Sequence, residues 1–149
     1  MDKIDVNIDG ITLNPLKIIT GDKGSVLHAL KSYEKSYISF GEAYFSTIHF
    51  NEIKGWKKHH EMILNIVVPV GKIKFVVFDD RIESPTKNNF FEIVLSPENY
   101  YRLTVQPGLW MAFKGMNEGL NMLLNIASIP HNPNEAENLS IEKINYKNW

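Results

Sequence analysis

Residues 62–80 read "MILNIVVPVGKIKFVVFDD". Both halves of this stretch are rich in β-branched and aromatic residues, and the Val70-Gly71 step between them is a turn signal. The stretch therefore predicts two short consecutive strands. The same texture continues on either side, in "EAYFSTIHF" (42–50), "FFEIVL" (90–95), "YYRLTVQP" (100–107), "LWMAFKG" (109–115) and "NMLLNIASI" (121–129). Between these runs stand the turn signals "SPTKNN", "SPEN", "PG" and "NEG". Helical periodicity is weak: "GSVLHALKSYEKS" (24–36) is the best candidate, as a short helix or as a strand followed by a turn. Many short strands at regular spacing predict an all-β fold, either a sandwich, a jelly roll or a small barrel.

The chain as a whole sets broad bounds. Its 149 residues suit one domain, 1–149, and no repeat or Pro/Gly/Ser linker divides it. A net charge of −1 leaves no basic excess for binding nucleic acid. The absence of cysteine excludes disulfides, zinc–thiolate sites and thiol catalysis. The start, "MDKIDVNIDG", lacks a signal-peptide pattern, and no run reaches the length of a membrane span. A cytoplasmic protein with no membrane partner is expected. The polar segment "PHNPNEAENLSIEKINYKNW" (130–149) is expected to wrap the surface, reach a neighbouring subunit, or fray.

Residues 53–62, "IKGWKKHHEM", carry the densest chemistry. On an extended strand Ile53, Gly55, Lys57 and His59 share one face, and Lys54, Trp56, Lys58 and His60 share the other. Adjacent histidines cannot both enter one pocket without a bulge. Gly55 is a natural place for one, and a bulge there would bring Lys54 round to the Lys57 side. The period-2 reading nominates Lys57 and His59 as a K-x-H pair, with Lys54 as an auxiliary cation. A metal would need three or four suitable ligands. One inward histidine with Glu61 falls short, and His28, His49 and His131 stand at no ligand spacing. No metal or cofactor is expected. Lys54, Lys57, Lys58, His59 and His60 can equally form a solvated strand end.

The order of three segments resembles a known family. "GEAYFSTIHFNEIKGWKKHH" (41–60), "VVPVGKIKFVVFDDRIESPT" (67–86) and "VQPGLWMAFKG" (105–115) resemble the cupin family of dTDP-4-dehydrorhamnose 3,5-epimerases and the related sugar 3,4-ketoisomerases, in a short branch that reads R-G-W-H-x-H. The likeness runs from about "GDKGSVLHAL" (21–30) to "IPHNPNEAEN" (129–138). It implies a jelly-roll barrel and a homodimer. It also implies a nucleotide-linked 4-keto sugar as substrate, in lipopolysaccharide or capsule biosynthesis. The implied chemistry is removal of a proton beside the ketone, stabilisation of the enolate oxygen, and return of a proton.

Carried over position by position, the family's R-G-x-H becomes Lys54-Gly55-Trp56-Lys57, so lysine stands where the usual histidine is. His59 keeps the second histidine. Met111 occupies a family histidine position, which also counts against a metal-dependent cupin, and Asn125 occupies that of the acid tyrosine. Asp79 and Arg81 match the family pattern, as Glu42 and Tyr44 match the short branch. A lysine can act as a base only if its pKa falls several units from about 10.4, whereas histidine titrates near neutrality. His59 is therefore expected to be the acid–base group and Lys57, with Lys54, the electrostatic one. Tyr44 or Glu42 would be the second proton handler. Trp56 and Trp110 line a nucleotide pocket or belong to the core. Arg81 binds substrate or pairs with Asp79 at a strand end. Lys72 and Lys74 read as an outer, solvated face. The alternative function is a catalytically degenerate cupin that binds a nucleotide sugar or partners a related enzyme. A purely structural or carbohydrate-binding β-domain is a more distant one. Convergence of Lys57, His59 and Tyr44 in one cavity is the geometry that separates these readings.

Overall fold

The computed structural model describes residues 4–149. Among them are twelve strands and two single-turn 3-10 helices, with no α-helix. The stretch 62–80 forms β6 (Leu64–Val70) and β7 (Ile73–Phe78), yet these consecutive strands do not pair. They enter opposite sheets. The first sheet has the order β1-β9-β6-β11-β4, with β1 Ile11–Pro15, β4 Glu42–Thr47, β9 Tyr101–Val105 and β11 Met122–Ala127. The second is β12-β5-β10-β7-β8, with β5 Ile53–His59, β8 Phe90–Leu95, β10 Trp110–Gly115 and β12 Ala136–Asn138. Every ladder in both sheets is antiparallel. A separate hairpin, β2 (Ile18–Gly21) with β3 (Gly24–Leu27), contains the start of the helical candidate at 24–36, so the strand-and-turn alternative is the one adopted.

The two sheets pack face to face, and period-2 alternation explains the core between them. Leu64, Ile66 and Val68 of β6 meet Ile73, Phe75 and Val77 of β7, Phe91, Ile93 and Leu95 of β8, and Leu103 of β9. The outer face of the second sheet is apolar as well. Trp56, Val76, Trp110 and Ala112 are buried there under Ile144, with Ile141, Tyr146 and Trp149 packed alongside. Segment 139–149 thus wraps this sheet. Its contacts include a donation from Trp56 Nε1 to the Ile141 carbonyl at 3.0 Å and the Tyr146–Trp149 ring pair at 5.1 Å. The first sheet is covered differently, by polar contacts from the 28–41 loop. Arg102, fully buried, binds Glu34 at 2.8 Å and the Ala29 carbonyl at 2.8 Å, and Asn65 donates to the Ser36 carbonyl at 3.0 Å.

One sequence expectation is corrected here, and two alternatives that the sequence left open are narrowed. Lys74 points to the outer face but is buried rather than solvated, because the wrapped segment covers it. Its ammonium donates to the Asn148 carbonyl at 2.5 Å, pairs with Glu92 at 3.3 Å and lies over the Tyr146 ring. Trp110 lines no nucleotide pocket: it faces away from the sheet interior, and its Nε1 donates to Asp80 at 2.8 Å. Arg81 takes the second of its two readings, the pair with Asp79 at a strand end. Its guanidinium is engaged by Asp79 at 2.9 Å through both Nε and Nη2, and Nη2 also donates to the Asp9 carbonyl. Burial would raise the Asp79 carboxyl, but hydrogen bonds from Arg81, Ser84 and Thr86 hold it far below the usual carboxylate range. That network anchors the 79–89 turn.

Ile144→Ala should cost about 2 kcal/mol, from lost burial and the cavity left over the second sheet. Urea unfolding would measure it. An unchanged midpoint would show that Ile144 contributes nothing to the packing over the second sheet.

Candidate active site

The local structure of β5 assembles the site. Against β10, Met111 pairs with Lys57 and Phe113 with Lys54, so β5 carries one residue more than its partner over this interval. That is a bulge. Gly55 permits it: a Cβ at this position would come within 2.7 Å of the Ala112 Cα, and the backbone φ of +150° disfavours a side chain. Because the bulge breaks the period-2 alternation, Lys54, Lys57 and His59 all reach the same cavity while Trp56 keeps its indole in the outer cluster. Trp56 borders the cavity, but the residue is 1% exposed and its indole is tied to the tail.

The cavity measures about 610 Å³ and opens between the two sheets. From the second sheet come Lys54, Lys57, His59, Met111 and Phe113; from the first come Glu42, Tyr44, Ser46 and Asn125. Met62, Leu64, Ile66 and Leu123 form an apolar floor. Lys57, His59 and Tyr44 therefore converge. Met111 and Asn125 share the lining without closing it off. The Lys54 ammonium donates to the Thr47 carbonyl at 2.6 Å, bridging β5 to β4 at the mouth. Among the described residues Lys57 has no side-chain hydrogen-bond or ion-pair partner, which leaves its ammonium for a ligand.

Sequence reasoning missed Glu135. It stands at the end of a 3-10 turn, Pro133–Glu135, which Asn132 caps by accepting from Asn134 N at 3.0 Å. The following strand β12 adds to the edge of β5, with Ala136 opposite His59. Oε1 of Glu135 accepts from His59 Nδ1, and Oε2 accepts from the main-chain N–H groups of His60, Glu61 and Met62 at 3.1–3.2 Å. The carboxylate is 5% exposed. Burial would push it up, but the bonds from His59 and from the main chain of Glu61 and Met62 outweigh that and hold it below the usual carboxylate range. A charged acceptor at Nδ1 places the ring proton there, so Nε2 is the basic nitrogen. His131, on the loop after β11, also borders the cavity. An Asn-Pro turn is the local signal for the Glu135 segment, but nothing local says that it docks beside β5. Among the described residues no group of three or more metal-type ligands comes together, and no helix is long and apolar enough to cross a membrane.

Two facing antiparallel sheets with a polar-mouthed cavity between them define a cupin-type jelly roll. The dTDP sugar isomerase of Desulfovibrio desulfuricans G20 superposes with a TM-score of 0.90 and 33% identity over 94% of this chain and 90% of that one. The chain belongs to this family of dTDP-sugar isomerases and 3,5-epimerase-like cupins. It is also 25% identical to the "Probable low-salt glycan biosynthesis epimerase Agl13" of Haloferax volcanii, over 94% of this chain and 89% of that protein. Likeness to the spore coat polysaccharide biosynthesis protein SpsL of Bacillus subtilis is 23%, over 87% and 86% of the two chains. No protein-family model matches the chain.

The lowered Glu135 carboxyl makes stability depend on pH with a definite sign. Its contribution is complete above the ordinary value of 4.5 and is lost as pH falls through the lower folded value. Glu135→Gln should therefore be less stable than the parent at pH 7, and the gap should narrow below about pH 4. Asp79 and Glu34, whose carboxyls are lowered too, remain in both proteins and cancel. Parallel urea titrations from pH 7 to 3 would test this, and a gap independent of pH would refute it.

Proposed function

We propose that the chain is a nucleotide-sugar epimerase or isomerase that removes a proton from the carbon beside a 4-keto group, for synthesis of a surface polysaccharide. The observation that carries this reading is the His59–Glu135 pair at the cavity wall, which leaves Nε2 as the base beside the unpartnered Lys57 ammonium. In the first step the substrate C–H bond breaks and its proton passes to His59 Nε2. The bonding pair becomes the new C=C bond while the carbonyl π pair moves onto oxygen. Lys57 is cast as the cation that stabilises that oxygen or the diphosphate. Glu135 favours the imidazolium that forms. The apolar floor keeps water from the enolate. Family membership and the relationship to a glycan-biosynthesis epimerase support the same class of reaction.

The chain is further proposed to act as a homodimer. Supporting this are the apolar side chains left uncovered on the edge strand β4, where Phe45 is 64% exposed, and on both strands of the β2–β3 hairpin, at Ile19 and Val26. Sedimentation equilibrium at micromolar concentration should give twice the chain mass; a monomer would contradict this.

Incubation with a nucleotide-linked 4-keto-6-deoxy sugar in heavy water should introduce deuterium beside the ketone. His59→Asn should slow this by roughly a hundredfold or more. Lys57→Met should weaken exchange and binding together. If several bound 4-keto nucleotide sugars show no exchange above the buffer rate, catalysis is excluded and the degenerate-binder reading replaces it.

A further inference from the structure

Asn125 and Tyr44 stand directly opposite each other in the β11–β4 ladder, so their side chains share the inner face of the first sheet. The Asn125 amide is buried, and a main-chain group sets its orientation. Its Oδ1 accepts the Asn65 N–H at 3.2 Å, and a main-chain N–H can only donate. Nδ2 is thereby directed at the Tyr44 hydroxyl, 3.1 Å away, and donates to its oxygen. Asn65 is itself held in place: its side chain accepts from Thr104 Oγ1 at 2.7 Å and donates to the Ser36 carbonyl at 3.0 Å. A file of polar groups thus runs from the 28–41 loop across β9, β6 and β11 and ends at Tyr44. A phenol carries one hydrogen. With Asn125 donating to the oxygen, that hydrogen is not used between the two residues and is left for a group in the cavity.

We propose that Asn125 is a positioning residue that holds Tyr44 as the proton donor on the first-sheet wall, opposite His59 on the second. The proposal rests on the epimerase reading above and makes it specific: protonation occurs on the face opposite to proton removal, with inversion. A planar enolate between the sheets presents one face to each wall. As the enolate collapses, the electron pair on oxygen re-forms the carbonyl and the C=C pair takes the Tyr44 proton. The phenol O–H bond breaks, and its electrons stay on an oxygen stabilised by the Asn125 N–H. His59 then gives its proton to water and Tyr44 regains one, so the only net change is the configuration of one carbon. The charged or titratable groups sharing the cavity with Tyr44 are Glu42 on its own strand, Lys54, Lys57 and His59 on β5, and His131 after β11.

Two variants separate this role from a structural one. In Asn125→Asp one oxygen still accepts the Asn65 N–H, but the other can only accept from Tyr44, turning the hydroxyl hydrogen away from the cavity. Tyr44→Phe removes the donor at an exposed position and carries the test if Asn125→Asp does not fold. Each protein is incubated with dTDP-linked 4-keto-6-deoxyglucose in heavy water, and NMR reads both the deuterium content and the configuration of the exchanged carbon. The wild type should place deuterium on inverted carbon. In both variants the inverted share of exchanged sugar should fall about tenfold or more, with kcat for inversion reduced and KM changed less than about twofold. A structural role would lower exchange and inversion in equal proportion, and that result overturns the proposal. Wild-type exchange with retention only, or variants that invert at the wild-type ratio, overturn it as well while leaving proton abstraction intact. Absence of exchange in the wild type removes the epimerase reading and this proposal with it.

Discussion

Glu135 accepts hydrogen bonds from the His59 imidazole and from three successive main-chain N–H groups, and the geometry of the candidate site depends on that one carboxylate. The chain leaves β5 at His59 and crosses to the other sheet, where β6 begins at Leu64. During that crossing the His60 N–H donates to the Glu135 carbonyl at 2.7 Å, while the Glu61 and Met62 N–H groups find their acceptor in the Glu135 carboxylate. An unsatisfied buried N–H costs about 1–3 kcal/mol. The Glu135 carboxylate removes that cost for the buried Met62 N–H and at the same time decides which nitrogen of His59 carries its proton. The crossover and the His59 tautomer are thus set by the same contact.

The second constraint is the bulge at Gly55. A regular β5 would send Lys54 to the outer face, beneath the wrapped tail, and leave a smaller cationic wall. The extra residue places Lys54 at the cavity mouth, where its bond to the Thr47 carbonyl ties β5 to β4, while Lys57 has no side-chain partner among the described residues. Lysine where the family resemblance puts histidine is then less of a loss than it looks. With Glu135 accepting from Nδ1, the His59 imidazole is held in one orientation, and the lysine adds a positive charge to the same cavity wall.

The two outer faces of the sandwich are closed by opposite chemistry. Segment 139–149 covers the second sheet with aromatic and aliphatic contacts, whereas the 28–41 loop covers the first with a pair between buried Arg102 and half-buried Glu34 and with amide bonds. The polar cover extends through Asn65 to Asn125 and so to the cavity wall. The apolar cover ends at Trp56 and Trp110, whose indoles are buried in that outer cluster.

Much of the fold was legible locally. The runs at 42–50, 62–70, 72–80, 90–95, 100–107, 109–115 and 121–129 contain β4 and β6 to β11, because β-branched and aromatic side chains suit a pleated, half-buried surface wherever they fall. His59, Lys57 and the bulge-forming Gly55 were legible too, since side-chain parity along a strand is a local property. The Asp79–Arg81 pair was among the local readings, but whether Trp110 faces ligand or scaffold was not legible, because that depends on a segment some thirty residues further along the chain. Nor did the sequence disclose that β6 and β7 part into different sheets, that Glu135 docks behind His59, or that Asn125 meets Tyr44. By itself, then, the sequence determined an all-β chain, the family it resembles and one strand of candidate chemistry. Only the tertiary structure decided which groups act together, because partners such as His59 and Glu135, 76 positions apart, are joined by sheet pairing and burial rather than by any local pattern.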